Sequence, residues 1–173
     1  MTSVLLIIDV QKGMFTMDTS VSKGNLLLEN ITRMITFARE HNLPLIYIQH
    51  NGPANSPLEK NTPGWEIHEV IKPQNGDIVI EKHTPDSFYE TDLKNILNNM
   101  EVNHLIVTGI QTEACIDSTC RSGFSLNYDV TLAIDCHSTF DKEEISARQI
   151  INHHNEVLRW FAETKTLQEI TSA

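Results

Sequence analysis

"HLIVTGIQTEACIDSTCRSG", residues 104–123, is the stretch on which the reading of this chain turns. His104 to Thr108 is a short, mostly apolar run, as expected of a strand buried on both faces. The chain then turns polar, with a helix to follow, and Cys115 falls in the join. A cysteine at such a place has an ordinary use as a packing residue. It has a sharper one as a nucleophile held at a helix N-terminus, and the rest of the chain has to choose between them.

The same punctuation recurs on both sides. Val4 to Ile8, Leu45 to Ile48, Ile78 to Ile80 and Val130 to Ile134 are further short apolar runs. Helix-period faces lie between them: Leu27, Ile31, Ile35 and Ala38, then Leu93, Ile96, Leu97 and Met100. A third face runs Ala147, Ile150, Ile151, His154, Leu158 and Phe161, with Asp141 as its expected N-cap and Glu144 three residues on. Strands alternating with helices predict an α/β fold. It is a three-layer α/β/α sandwich around a mainly parallel, doubly wound, Rossmann-like sheet of about six strands. Residues 1–173 are expected to form one domain. The irregular stretch 51–76 carries Pro53, Pro57, Pro63 and Pro73, and a loop that long in a compact domain is expected to be functional.

A net charge of -10 argues against a nucleic-acid footprint and against anionic membrane surfaces. The three cysteines include no CxxC pair, so a zinc site or redox dithiol has no support. The N-terminal apolar run stops at Asp9 and has no basic flank, which fits neither a signal segment nor a membrane span. A reducing cytoplasm is the expected setting.

Asp9 ends the first run, Lys82 the third, and Cys115 follows the fourth. In an open parallel sheet the carboxyl ends of the strands form the binding crevice, so three reactive residue types converge on one edge. Singly, each has a plain use: a turn residue, a solvated strand end, a packing thiol. Together they make an amide-hydrolysing set. A nearby ammonium and a helix N-terminus favour the thiolate. A carboxylate can take the thiol proton and later give it to a leaving amine. Backbone N–H groups at the turn can hold an oxyanion. On this reading Cys115 reacts as a thiolate well below the pKa of a free cysteine.

These residues, within "LLIIDVQKGMF", "PLIYIQH", "TPGWEIHEVIKPQNGDIVIEKHTPDSF", "VTGIQTEACIDSTCRSG" and "YDVTLAIDCHST", resemble the isochorismatase-like cysteine hydrolases over nearly the whole chain. That family includes nicotinamidases and carbamoylsarcosine amidohydrolases. The resemblance implies Asp9 as general base and acid, Lys82 as thiolate-stabilising cation and Cys115 as nucleophile. It also implies a cis peptide at Ile110-Gln111 that turns the Gln111 N–H toward the Cys115 N–H to form the oxyanion hole. By the same resemblance Gln11, Phe15, His50, Trp65 and Phe88 bind substrate or hold the site, although core packing competes for the aromatics. Cys120 and Cys136 read as packing residues.

The chain departs from metal-binding nicotinamidases, which carry Asp-x-His after the second strand. Here that region reads "YIQHNGPANSPLEKN", and His50 and His83 alone make a weak ligand set. No metal and no cofactor are therefore expected. Isochorismate-cleaving members lack the cysteine, which disfavours vinyl-ether hydrolysis here. The expectation is a metal-independent hydrolase opening a C–N bond of a small amide, ureide or lactam through an acyl-thioester. Ether or ester hydrolysis on the same fold, or a non-catalytic binding or assembly role, stays open. The expected partner is a small-molecule substrate, with neither nucleic acid nor membrane. Relatives assemble, so a homo-oligomer, a dimer or larger, is expected, with Trp65, Ile67, Val70 and Ile71 as candidate interface area.

Overall fold

Unbroken aliphatic runs become strands wherever both faces of the sheet are to be covered. In the computed structural model, which describes residues 2–16 and 21–172, these are β1 (Ser3–Ile8), β2 (Leu45–His50), β3 (Ile78–Lys82), β4 (His104–Ile110) and β5 (Asp129–Ser138). A sixth strand, β6 (Glu163–Lys165), is short and polar. The order is β3-β2-β1-β4-β5-β6, and every neighbouring pair is parallel.

Helices cover both faces, giving the expected three layers. On one face Leu5, Ile7, Leu45, Tyr47 and Ile106 pack with Leu27, Ile31, Met34 and Ala38 of α1 (Gly24–Glu40) and with Leu167 and Ile170 of α5 (Leu167–Thr171). On the other, Val4, Leu6, Ile8, Ile46 and Val107 meet Leu93 and Leu97 of α2 (Leu93–Asn99) and Cys120 of α3 (Asp117–Ser125). Successive strand residues thus serve opposite layers, as the two-residue period of a strand requires. Cys120 and Cys136 lie fully buried in these two clusters.

The last long helix, α4 (Ala147–Val157), starts differently from expectation. Ser146 is its N-cap, closed reciprocally with Gln149, while Asp141 reaches the same end by accepting from the Ala147 N–H at 2.7 Å. The stretch 51–76 holds one short helical turn, Glu69–Ile71, and two isolated bridges, Gln11 to Ile67 and Gly52 to Glu59. Of its proposed interface residues, Ile71 is buried, Trp65 and Ile67 are half-buried, and Val70 is exposed. Among the described residues no helix is long and apolar enough to cross a membrane.

The order of strands changes direction between β1 and β4, and a crevice opens there beyond the carboxyl ends. Gly109 makes the approach possible. It pairs with Ile8 in register and has φ of 126°, and a Cβ at this position would lie 2.0 Å from the Ile8 carbonyl oxygen. Only glycine fits that backbone and that gap. Gly109→Ala should lose about 3 kcal/mol of stability in urea unfolding; a loss under roughly 0.5 kcal/mol would show that the strands can separate freely.

Candidate active site

Asp9 is the first residue beyond β1, fully buried, and held at φ of 53°, a left-handed conformation uncommon for residues other than glycine. Its N–H donates to Ile48 O at 2.9 Å, which fixes the carboxylate over the end of β2. Lys82 is the last residue of β3 and only 1% exposed. Its Nζ sits 2.7 Å from Asp9 Oδ2 and 3.2 Å from Cys115 Sγ, and it also donates to the carbonyls of Thr84 at 3.0 Å and Pro85 at 3.3 Å. The structure therefore brings together the three residues that the sequence singles out.

Cys115 does not stand on the first turn of α3. It lies within a π-helical turn, Thr112–Ile116, that leads into that helix, closed by Ile116 N–H donating to Gln111 O at 3.1 Å. Such wide turns are frequent at functional sites. The preceding Ile110-Gln111 peptide is cis. Gln111 and Cys115 line one cavity of about 270 Å³, together with Asp9 and His50. That is near the lower end of small-molecule pockets, roughly 300 Å³.

The electrostatics run against one expectation. Burial raises the Asp9 carboxyl pKa, opposed by the Lys82 charge. Burial also pushes the Cys115 thiol up to about 12, with the Asp9 charge adding to the rise and Lys82 opposing it. In this geometry Cys115 rests as a thiol, not as a thiolate well below the free-cysteine pKa. A dry site disfavours a second anion more than one ammonium can offset while Asp9 also claims it.

The expected substrate-binding residues divide. His50 lines the cavity. Gln11 is buried behind it as a clamp: its Nε2 donates to the carbonyls of His50 at 3.0 Å and Trp65 at 2.8 Å, and its Oε1 accepts from the His50 N–H at 2.9 Å. Three aromatics stand outside the cavity wall. Phe15 packs edge-on against His68, Phe88 stacks on Tyr128, and Trp65 donates from Nε1 to Asn51 Oδ1 at 2.7 Å. Apolar packing and the indole N–H have the stronger claim on them. The wall is made instead by Met14, Pro53, Pro57, Leu58, Pro85 and Ala114. No motif marks these residues, and the prolines of the 51–76 stretch were the one available signal. Among the described residues no three His, Cys, Asp or Glu side chains are grouped to hold a metal ion.

The profile of the Isochorismatase domain matches residues 3–161. An uncharacterized isochorismatase family protein of Bacillus subtilis, YddQ, is 32% identical over 80% of this chain and 79% of its own length. The ureidoacrylate amidohydrolase RutB of Klebsiella pneumoniae is 28% identical, over 73% of this chain and 69% of its own. Among solved structures, an isochorismatase from Pseudomonas putida KT2440 superimposes with a TM-score of 0.92 at 27% identity, covering 97% of this chain and 89% of that one.

A raised acid pKa means that the neutral thiol persists to higher pH. The rate of Cys115 alkylation in the ligand-free chain should therefore keep climbing beyond pH of about 9, where free cysteine, with a pKa near 8.5, has begun to level off. A plateau reached near neutral pH would contradict the resting thiol.

Proposed function

The chain belongs to the isochorismatase family of hydrolases, and from that premise we propose that it is a cysteine hydrolase opening a C–N bond of a small amide, ureide or lactam. The observation that carries the reading is Lys82 Nζ lying between Asp9 Oδ2 at 2.7 Å and Cys115 Sγ at 3.2 Å in a buried site. The amidohydrolase among its relatives supports the choice of bond.

In this reading one proton is shared by Asp9 and Cys115, and the two titrate as a pair. Moving it from sulfur to carboxylate leaves the net charge of the site unchanged, and the Lys82 ammonium neutralises whichever partner is the anion. As the proton passes to Asp9, the sulfur pair forms a C–S bond to the substrate carbonyl carbon and the carbonyl π pair moves to oxygen. The N–H groups of Gln111 and Cys115 receive that oxyanion; donors so placed contribute roughly 10²–10³ each in rate. On collapse the C=O re-forms, the C–N bond breaks, and Asp9 protonates the departing nitrogen. Asp9 then takes a proton from water as its oxygen attacks the thioester. The C–S bond breaks, the acid leaves, and the proton returns to sulfur. Every step uses protein groups and water.

Incubation with a panel of carboxamides, ureides and lactams should release ammonia or amine, with an acyl adduct on Cys115 detectable by mass spectrometry. Cys115→Ala should abolish turnover while retaining substrate binding, and Asp9→Asn should lower kcat by about 10³ or more. Undiminished turnover in Cys115→Ala would overturn the reading.

A further inference from the structure

Apart from the Asp9 carboxylate, two buried polar atoms of residues that line the cavity have no hydrogen-bond partner among the described residues, His50 Nδ1 and Ser56 Oγ. Buried polar groups are normally paired, so two orphans on residues lining one cavity point to a place where a ligand supplies the partners. Neither is loosely held. Gln11 grips the His50 backbone on both its N–H and its carbonyl. Ser56 Oγ rests against Gly52, where a Cβ would come within 2.4 Å of it. Burial lowers the His50 pKa, which keeps the imidazole neutral at neutral pH.

The charge balance around these atoms is equally specific. The Lys82 ammonium has three protons and four acceptors: Asp9, Cys115, Thr84 O and Pro85 O. It has nothing left for a ligand. Among the described residues the cavity wall includes no arginine and no lysine, and its other side chains are mostly apolar. A ligand carboxylate would be stripped of water beside Asp9 without a counterion, an unfavourable exchange.

We infer that His50 and Ser56 form a recognition pair for a neutral hydrogen-bonding group of the substrate, so that the site selects small uncharged amides over carboxylate-bearing ones. The inference rests on the cysteine chemistry proposed above and narrows it to a substrate class.

Iodoacetamide and iodoacetate form a matched test, because they differ in amide against carboxylate and neither needs turnover. The full chain is labelled at about 1 M salt, where the Debye length is about 3 Å and the overall charge no longer steers the reagents. Adducts on Cys115 are followed by mass spectrometry, with free cysteine as the reference. Cys115 should prefer iodoacetamide over iodoacetate by at least about tenfold more than free cysteine does. His50→Ala and Ser56→Ala should each slow iodoacetamide about fivefold, yet leave labelling by methyl methanethiosulfonate, which carries no amide, within about twofold. That last reagent also reports whether each variant keeps its site folded. A preference no greater than that of free cysteine, or variants that slow both neutral reagents alike, overturns the recognition pair and leaves the nucleophile standing. A Cys115 that none of the reagents labels even above pH of about 9, where thiolate is favoured, overturns the cysteine chemistry, and this inference with it.

Discussion

A lysine ammonium and an aspartate carboxylate share a buried site, both side chains 0% exposed, and the surrounding structure is arranged around keeping them there. Desolvating two such ions costs several kcal/mol each, and an apolar pair of the same shape often serves stability as well or better. On the proposed function, the pair is equipment for chemistry. It spans β2, with Asp9 beyond the end of β1 and Lys82 at the end of β3, so the parallel register of three strands sets its length. The turn after β3 contributes the Thr84 and Pro85 carbonyls. That turn is tied to α3 by Ser122 Oγ donating to Asp86 Oδ2 at 2.6 Å and by the buried Ser87 and Thr119 hydroxyls at 2.9 Å. The helix that follows Cys115 and the groups that hold Lys82 are thus fixed to one another.

Much of this was legible in the sequence because it depends on period and position. Five strands follow from aliphatic runs that only a doubly covered sheet explains, and Asp9, Lys82 and Cys115 follow from where those runs stop. β6 gave no such signal. Glu163, Thr164 and Lys165 form an edge strand, where one side needs no neighbour and charge guards against further pairing. The start of α4 was misread because Asp141 and Ser146 both serve the same helix end, and only Ser146 has the reciprocal partner.

The cavity wall was less legible for a different reason. Leu58, Pro57 and Ser56 reach it through an irregular loop whose path is set by distant contacts such as the Gln11 clamp on Trp65 O. Local propensity has no access to such contacts. The family resemblance places Phe15, Trp65 and Phe88 at the pocket, but large rings go where apolar area is best covered. The thiol was misjudged for a related reason: motif chemistry counts the ammonium beside it, whereas burial is visible only in three dimensions.

The same burial bears on how long such a protein survives in use. Oxidants attack thiolates, and damage climbs from sulfenic acid to irreversible sulfonic acid according to thiolate character and access. Cys120 and Cys136 are wholly enclosed, and Cys115 is 8% exposed, with burial raising its thiol pKa. On the proposed mechanism, a site that gives up the thiol proton only to Asp9 trades readiness at rest for durability. Its sulfur would then be spared peroxide between turnovers, a protection that a permanently ionised cysteine lacks.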